Sequence, residues 1–251
     1  MKQTKLILYA LALMGFVACS SDDNADVAQM GYLSFSVSAT DVVEDVTRAT
    51  IGEVAGGYTA PADGDFSIEI INEDDEKVWT GKVSEWSSTT PLNAGNYTVK
   101  ASYENGRVGF NNPVFEGSAS IVINGGETTA AEIPVTLKNA IVRVKFTDMF
   151  KSYYSFDKFT ITSLNIPIEF TANETRGAFI EATTFSINAT LTSQAQDSDT
   201  KVFNKTYSAS EAKCYTITFD ASNIGGAGSI QITFGDEPTE TIELGDIELN
   251  E

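Results

Sequence analysis

The sequence predicts an all-β protein of two tandem β-sandwich domains, with antiparallel strands and little helix. Three observations support this fold class. Apolar and polar residues alternate with a period of two through most of the chain, helical periodicity is nearly absent, and Gly- or Asn/Asp-rich turns separate the alternating segments. Because alternation places every second side chain on one face of a strand, each segment can bury one face against a second sheet.

The first half of the chain contains about six short predicted strands. Polar or glycine-rich turns separate neighbours, as at residues 72–75 and at Gly125-Gly126. Six strands within about a hundred residues are typical of one β-sandwich. The predicted strands lie around residues 33–37, 66–70, 78–80, 97–103, 121–123 and 133–137.

The second half repeats this pattern and adds a short predicted helix over residues 149–154. We place the domain boundary between residues 138 and 139, which gives sandwiches over 31–138 and 139–251. One strand ends there and the next begins almost at once, so we expect the sandwiches to pack end to end. The predicted strands lie around residues 141–146, 159–162, 166–170, 178–180, 185–191, 201–207, 215–219, 230–234 and 241–249.

The N-terminus has the pattern of a secretory signal peptide over residues 1–18. Lys2 and Lys5 precede an uncharged, mostly apolar stretch that is too short for a stable membrane span. The stretch ends at Cys19, which resembles a bacterial lipoprotein signal and implies cleavage before Cys19 and its acylation, for example with palmitate. The alternative is a plain secretory signal with an incidental cysteine.

Residues 19–30 are polar and acidic and are expected to form a tether between the lipid and the folded body. Residues 20–23 resemble the acidic export signal of Bacteroidetes surface lipoproteins. This resemblance favours an outer-membrane protein that faces the cell exterior and contacts the membrane through its N-terminal lipid anchor.

The charge of the chain excludes one class of partner. The sequence contains 16 basic and 35 acidic residues, which gives a net charge of −19. Cleavage of the predicted signal peptide would remove two lysines and no acid, so the net charge of the remaining chain would be −21. Such an acidic surface repels phosphate backbones and anionic lipid headgroups. We therefore expect no nucleic-acid partner and no polybasic membrane patch.

The composition also limits the catalytic mechanisms that are possible, although it leaves carboxylate chemistry open. The sequence contains no histidine, which excludes Ser-His-Asp and Cys-His mechanisms and most zinc sites. The acidic clusters at 73–76, 197–199 and 236–237 lack EF-hand spacing, so we expect no metal site and no cofactor. Cys214 lies in a predicted strand and is expected to be a buried thiol without a disulfide partner.

Four segments of the chain resemble a known family. Residues 92–103 read LNAGNYTVKASY, in which Gly95 can turn the chain into a strand at no steric cost. Residues 112–118, 125–129 and 141–150 follow with NPVFEGS, GGETT and IVRVKFTDMF. Over about residues 30–165 the chain resembles the DUF4493 family of Bacteroidetes surface lipoproteins, related to the fimbrillin-like proteins. The resemblance implies two transthyretin-like or immunoglobulin-like β-sandwiches.

The resemblance also implies a function in cell adhesion or fimbria assembly without catalysis. Fimbrillin-type precursors are cut after an arginine near the first strand, and the C-terminal strand of the next subunit fills the groove that is left. Arg48 and Ala49 would form the processing site here, since Arg48 is the only arginine before Arg107. The alternating segment 239–249 would be the donor strand, and the partners would be other fimbrial subunits.

A second interpretation is a surface lipoprotein that binds glycans through exposed aromatic rings. Trp79, Trp86, Tyr153 and Tyr154 could stack on sugar rings if their faces are open to solvent. The ordinary alternative is that these rings pack in the core or along a sheet edge. The sequence leaves both interpretations open.

Overall fold

The computed structural model describes residues 29–39, 44–45, 61–194, 200–224, 227–234 and 237–244, with side chains over 29–39, 61–156, 158–194 and 200–221. Within these ranges the protein is all-β, with one short helix, as predicted. The elements are β1 Met30–Ala39, β2 Glu44–Asp45, β3 Ser67–Asn72, β4 Lys77–Lys82, β5 Pro91–Asn93, β6 Gly95–Glu104, β7 Gly109–Phe110, β8 Val114–Ile123, β9 Thr128–Leu137, β10 Asn139–Phe146, α1 Asp148–Tyr153, β11 Tyr154–Ser163, β12 Ile166–Phe170, β13 Ala178–Glu181, β14 Thr184–Ser193, β15 Thr200–Ser208, β16 Lys213–Ile224, β17 Ala227–Phe234 and β18 Glu237–Leu244.

The first half folds as one seven-stranded sheet in the order β4-β3-β6-β8-β9-β1-β5. β8 pairs with β9 over only three residue pairs, from Phe115 and Leu137 to Gly117 and Val135. Beyond those pairs β8 stays with β6 and β9 pairs with β1, so the sheet curls between them. The curl encloses an apolar interior, which we call the first core. It includes Leu33, Phe66, Ile70, Val99, Phe115 and Ile133.

The second half contains two sheets. One has the order β18-β17-β16-β10-β13-β7, with β2 also beside β16, and the other has the order β12-β11-β14-β15. Apolar residues from both sheets form a second core. Aromatic rings dominate it: Phe146 stacks on Phe219 at 5.2 Å, and Phe159 meets Phe219 edge-on at 5.4 Å. Packed aromatic pairs of this kind add to the stability that comes from apolar burial.

Local chemistry explains two elements that the sequence predicted. Thr147 precedes α1, and its side-chain oxygen accepts a hydrogen bond from the Phe150 amide at 3.2 Å, which caps the helix. Gly95 has a φ of 156°, and Tyr97 is buried next to it with its hydroxyl donating to the Asn93 carbonyl at 2.9 Å. Burial, with a smaller contribution from nearby Glu73, raises the pKa of Tyr97.

Three strand pairings differ from the expected antiparallel arrangement, and the shortest of them joins β2 to β16 over two residue pairs. β1 runs parallel to β9 over eight residue pairs, and β10 runs parallel to β16 over six. A parallel pair needs a long connection between its strands. Here the intervening strands supply that connection, so the first strand of each half lies beside a strand that comes much later in the chain.

The predicted boundary falls between β9 and β10, with Lys138 as the one residue between the two strands. Residues on each side of this boundary pair with or pack against residues on the other side. β7, which lies between β6 and β8 in sequence, pairs with β13 of the second half, and Ile141 and Cys214 pack into the first core. Cys214 is buried, as the sequence predicted. The division into two domains stays a prediction.

The described residues include no helix that is both long enough and apolar enough to cross a membrane.

Candidate functional site: the first strand and its aromatic cover

The predicted lipidation and processing residues lie outside the described residues. These are Cys19, Arg48 and Ala49. The structure does describe the two strands that precede Arg48, which are β1 and the two-residue strand β2 beside β16. The candidate site is therefore β1 together with the residues that hold it in the sheet.

β1 alternates between core and surface. Leu33 and Val37 are buried in the first core, while their neighbours Ser34, Ser36 and Ser38 are exposed or half-buried. Burying two aliphatic side chains stabilises the strand by roughly 1.5–3 kcal/mol each. The inward face of β1 is thus a regular row of apolar side chains, as strand alternation predicts.

The two edges of β1 differ in how fully they are paired. One edge pairs with β9 along residues 32–39. On the other edge β5 covers only Met30, Gly31 and Tyr32. Beyond Tyr32, this second edge has no strand partner among the residues that the structure describes. Unpaired backbone groups at a sheet edge can pair with another strand.

The start of β1 fits closely against the loop between β8 and β9. The Gly126 amide donates to the Met30 carbonyl and the Tyr32 amide donates to the Glu127 carbonyl, both at 2.8 Å. A Cβ atom on Gly31 would lie 2.2 Å from the Asn124 carbonyl oxygen, so only glycine fits there. β1 is therefore most firmly held at its first three residues.

Trp86 covers the second edge of β1. Its indole N–H donates to the Leu33 carbonyl at 2.9 Å, and its ring stacks on Phe35 at 5.8 Å. Trp79 packs edge-on against Trp86 at 5.0 Å. We call Phe35, Trp79 and Trp86 the aromatic cover. This hydrogen bond satisfies one carbonyl of β1 that no described strand pairs.

A short turn positions Trp86. Residues 83–85 form a 3₁₀ turn after β4, and the Glu85 carboxylate accepts a hydrogen bond from the Lys82 amide at 2.9 Å. The Val83 amide donates to the Phe66 carbonyl at 2.9 Å, which ties the turn to the chain just before β3. The aromatic cover thus connects one end of the sheet, at β4, to β1 near its other end.

A protein-family model identifies the family of this chain. The model described as "Domain of unknown function (DUF4493)" matches residues 29–250. The chain belongs to the DUF4493 family. The match confirms the resemblance drawn from residues 30–165 and extends it over the C-terminal third, where the sequence offered only a strand pattern.

Solved structures similar to this DUF4493 protein share little sequence with it. A fimbrial assembly protein of Parabacteroides distasonis has 9% identity and a TM-score of 0.46, and the match covers 82% of this chain and 98% of that one. A candidate cell adhesion protein of Bacteroides fragilis has 10% identity and a TM-score of 0.46, with 84% and 99% covered. A candidate polysaccharide-binding protein of Bacteroides thetaiotaomicron has 10% identity and a TM-score of 0.38, with 79% and 95% covered. None of the curated proteins matches the chain.

The structure divides the four predicted glycan-stacking residues between the two cores. Trp79 and Trp86 are half-buried beside the first core, whereas Tyr153 and Tyr154 pack in or against the second. Tyr154 is only 5% exposed and stacks on Phe150 at 5.6 Å, so it offers no face to a sugar and the prediction is wrong for this residue. Trp79 and Trp86 pack edge-on against each other and do not form one continuous flat surface. Stacking on Trp79, Trp86 or Tyr153 stays a prediction.

The predicted donor segment lies mainly in β18. β18 is the outermost strand of its sheet and pairs antiparallel with β17, from Phe234 and Glu237 to Gly228 and Leu244. Its only described strand neighbour is β17, so it can leave without interrupting the rest of the sheet. Residues 245–251 lie outside the described residues.

Sequence reasoning missed the role of Trp86 at the edge of β1. Trp86 and its partner Leu33 are 53 residues apart, and neither lies in a motif that points to the other. A tryptophan that follows a short turn at the end of a strand indicates nothing more than an ordinary strand end. Only the curl of the sheet brings the indole to β1.

Proposed function

We propose that this DUF4493 protein is a non-catalytic cell-surface lipoprotein that acts in adhesion or fimbria assembly and joins its neighbours by strand exchange. In this proposal Cys19 carries the lipid anchor at the outer face of the outer membrane. Cleavage between Arg48 and Ala49 then separates β1 from the rest of the chain. The partner is a second fimbrial subunit, which contributes its C-terminal strand.

The incomplete pairing of β1 carries the proposal. β1 fills a groove between β9 on one side and β5 with the aromatic cover on the other. Its departure would expose the β9 edge and the apolar places now filled by Leu33 and Val37. A strand with apolar residues at alternate positions could occupy those places, with backbone hydrogen bonds supplying affinity and side chains supplying fit.

The C-terminal segment has the pattern that such a groove requires. Ile242 and Leu244 alternate with polar residues, and Ile247 and Leu249 continue the alternation after Gly245-Asp246. β18 has one described strand neighbour, so its release removes one ladder of backbone hydrogen bonds. The compared structures are named for fimbrial assembly and adhesion, at TM-scores too low to add weight.

Mass spectrometry of the mature N-terminus, on protein from the native cell surface, tests the processing step. A free Ala49 is the expected result for assembled protein, and an acylated Cys19 is expected for precursor at the membrane. Arg48→Gln should prevent processing and leave only the Cys19 form. Assembled protein that retains residues 31–39 would overturn the strand-exchange mechanism while leaving a surface role intact.

Assembly of purified protein tests the exchange step. Protein cut by an arginine-specific protease should form oligomers on size-exclusion chromatography with light scattering, whereas uncut Arg48→Gln protein should stay monomeric. A matched protein truncated after residue 236 lacks the donor, so its cut form should not self-assemble but should bind a peptide of residues 237–251. Oligomers of equal size from the truncated protein would contradict the proposal.

A further inference from the structure

The second half carries a groove of about 490 Å³ with a positive lining, although the chain is strongly acidic. Arg143 and Lys145 in β10 and Lys151 in α1 supply three cations. Glu174 is the only acid among the described residues that line it. We call this site the cationic groove. Its volume is within the usual range for small-molecule and sugar sites.

The β10–β16 register explains how the groove forms. Arg143 and Lys145 are two residues apart, so both point to the same, outward face of the sheet. The parallel register places Thr216 beside Arg143 and Thr218 beside Lys145. Two cations and two hydroxyls therefore form a small grid, about 7 Å along the strands and about 5 Å across them.

The one acid at the groove is already occupied. The Arg176 guanidinium contacts both carboxylate oxygens of Glu174, with Nε–Oε1 at 3.0 Å and Nη2–Oε2 at 2.8 Å. This hydrogen bonding holds the pKa of Glu174 at about 2, so the carboxylate stays ionised and paired at neutral pH. Its charge therefore offsets Arg176 rather than Lys145 or Lys151.

Two other cavities among the described residues have linings in which acids balance the cations. In the cavity where the two halves meet, of about 250 Å³, Arg107 pairs with Glu181 at 2.7 Å and Lys138 with Glu211 at 2.9 Å. The cavity along β3, β6, β8 and β9 balances its two lysines with Glu69 and Glu116. By contrast, neither Lys145 nor Lys151 has an ion-pair partner in the part of the chain that is described.

We propose that the cationic groove binds a polysaccharide that carries carboxylate groups, such as a polymer of uronic acids. The ammonium groups of Lys145 and Lys151 would bind the carboxylates through charge-assisted hydrogen bonds. The hydroxyls of Thr216 and Thr218 both donate and accept, which suits sugar hydroxyls.

The negative net charge of the protein favours an acidic polymer whose charges are widely spaced. Nucleic acid carries one charge per about 1.7 Å of duplex and would be repelled by the acidic surface around the groove. An acidic polysaccharide has single charges separated by neutral rings, so it can place one carboxylate in the groove with less repulsion elsewhere. The site is independent of β1 and of Arg48, so this inference does not rest on strand exchange.

Titration calorimetry of the full chain with polygalacturonate, at low salt, tests the proposal. We expect binding that weakens as salt is added and no binding of neutral dextran of equal length. Lys145→Gln with Lys151→Gln should weaken binding about tenfold or more, since one charge-assisted hydrogen bond accounts for at least that factor. The matched control, Lys82→Gln with Lys100→Gln, removes the same charge from the first half and should change affinity less than twofold.

A second pair of variants tests recognition of the sugar. Thr216→Val with Thr218→Val should weaken polygalacturonate binding and leave the fold intact, because both threonines are only half-buried. The proposal would be overturned if polygalacturonate did not bind. It would also be overturned if the control variant Lys82→Gln with Lys100→Gln lost as much affinity as Lys145→Gln with Lys151→Gln. Equally tight binding of polyglutamate, insensitive to the threonine variants, would mean that the groove takes an acidic polypeptide instead.

Discussion

β1 and β10 occupy corresponding positions in the two halves of the molecule but are held very differently. Each opens its half, runs parallel to a later strand and has a short antiparallel neighbour on its other edge. For β10 the sheet continues beyond both neighbours, with β17 and β18 beyond β16 and with β7 beyond β13. For β1 the second neighbour is β5, a three-residue strand at the edge.

β10 and β1 also differ in how many of their side chains are buried. In β10 the consecutive residues Ile141 and Val142 are both fully buried, because one faces the first core and the other the second. In β1 only alternate residues are buried, and the serines between them face solvent. A strand buried on both faces cannot leave without opening two cores, whereas β1 can leave by opening one. The comparison therefore explains why β1 is the candidate for release.

The end of β10 is also fixed by a buried polar side chain. Asn139, the first residue of β10, is only 1% exposed. Its side-chain Nδ2 donates a hydrogen bond to the Arg107 carbonyl at 2.8 Å, and its side-chain Oδ1 accepts one from the Val114 backbone amide. The Ala212 amide donates to the Asn139 carbonyl at 3.0 Å. β1 has no equivalent buried polar anchor among the described residues; Trp86 supplies a single hydrogen bond to it.

The largest effect is expected from Ile141→Ala in β10. Removing a fully buried isoleucine side chain costs about 2–5 kcal/mol of the free energy of unfolding. Because β10 lies between the two cores, hydrogen exchange should increase in peptides from both halves. Urea denaturation followed by exchange mass spectrometry measures both quantities. Faster exchange confined to residues 139–146 would contradict the central role of β10.

Leu33→Ala removes a fully buried side chain of similar size from β1 and should act more locally. We expect faster exchange in residues 29–39, a smaller increase in β6 and none in β11 or β14, which belong to the second core. Local opening of this kind is typical of elements with few partners. Equal loss of protection in both halves would show that β1 is as integral as β10.

The alternation of apolar residues was enough to predict the strands but not their partners. The segments at 33–37 and 141–146 were both predicted as strands, yet nothing in either indicates a parallel neighbour about a hundred or seventy residues later. Alternation determines which face is buried and leaves pairing to the tertiary fold. The predicted helix over 149–154 was nearly correct because Thr147 caps it locally.

The two candidate sites were predictable to different degrees. The spacing of Arg143 and Lys145 is visible in the sequence, but Lys151 and the two threonines reach the cationic groove only through the β10–β16 pairing and the position of α1. The four aromatic residues were grouped by chemical type, and the fold separated them. Residue type predicts what a side chain can do, whereas exposure and neighbours are set by long-range packing.

A smaller effect is expected from Trp86→Phe. The substitution keeps an aromatic ring against Phe35 and removes the indole N–H, so the Leu33 carbonyl loses a partner, at a cost of about 1 kcal/mol. Exchange of residues 33–39 should rise while β10 is unchanged. Trp79→Phe is the matched control, because no indole hydrogen bond of Trp79 is described. If both variants loosen β1 equally, ring packing rather than the hydrogen bond holds the edge.

The smallest effect concerns the flank of β10 and depends on pH. Arg176, paired with Glu174, also lies 4.5 Å from the centre of the Phe110 ring in β7, next to β13. The hydrogen bond from Arg176 lowers the pKa of Glu174 from 4.5 to about 2. A lowered carboxyl pKa stabilises the fold above pH 4.5, and this contribution is lost as the pH falls towards 2.

Glu174→Gln removes that contribution at all pH values. The urea midpoint of the variant should lie slightly below that of the unsubstituted protein at pH 6, and the gap should close as the pH approaches 2. Glu169→Gln is the control, since Glu169 and Lys158 form a largely exposed pair that should contribute little. A gap that stays constant between pH 6 and pH 2 would mean that the Glu174 side chain acts by packing, and that charge plays no part in holding the flank of β10.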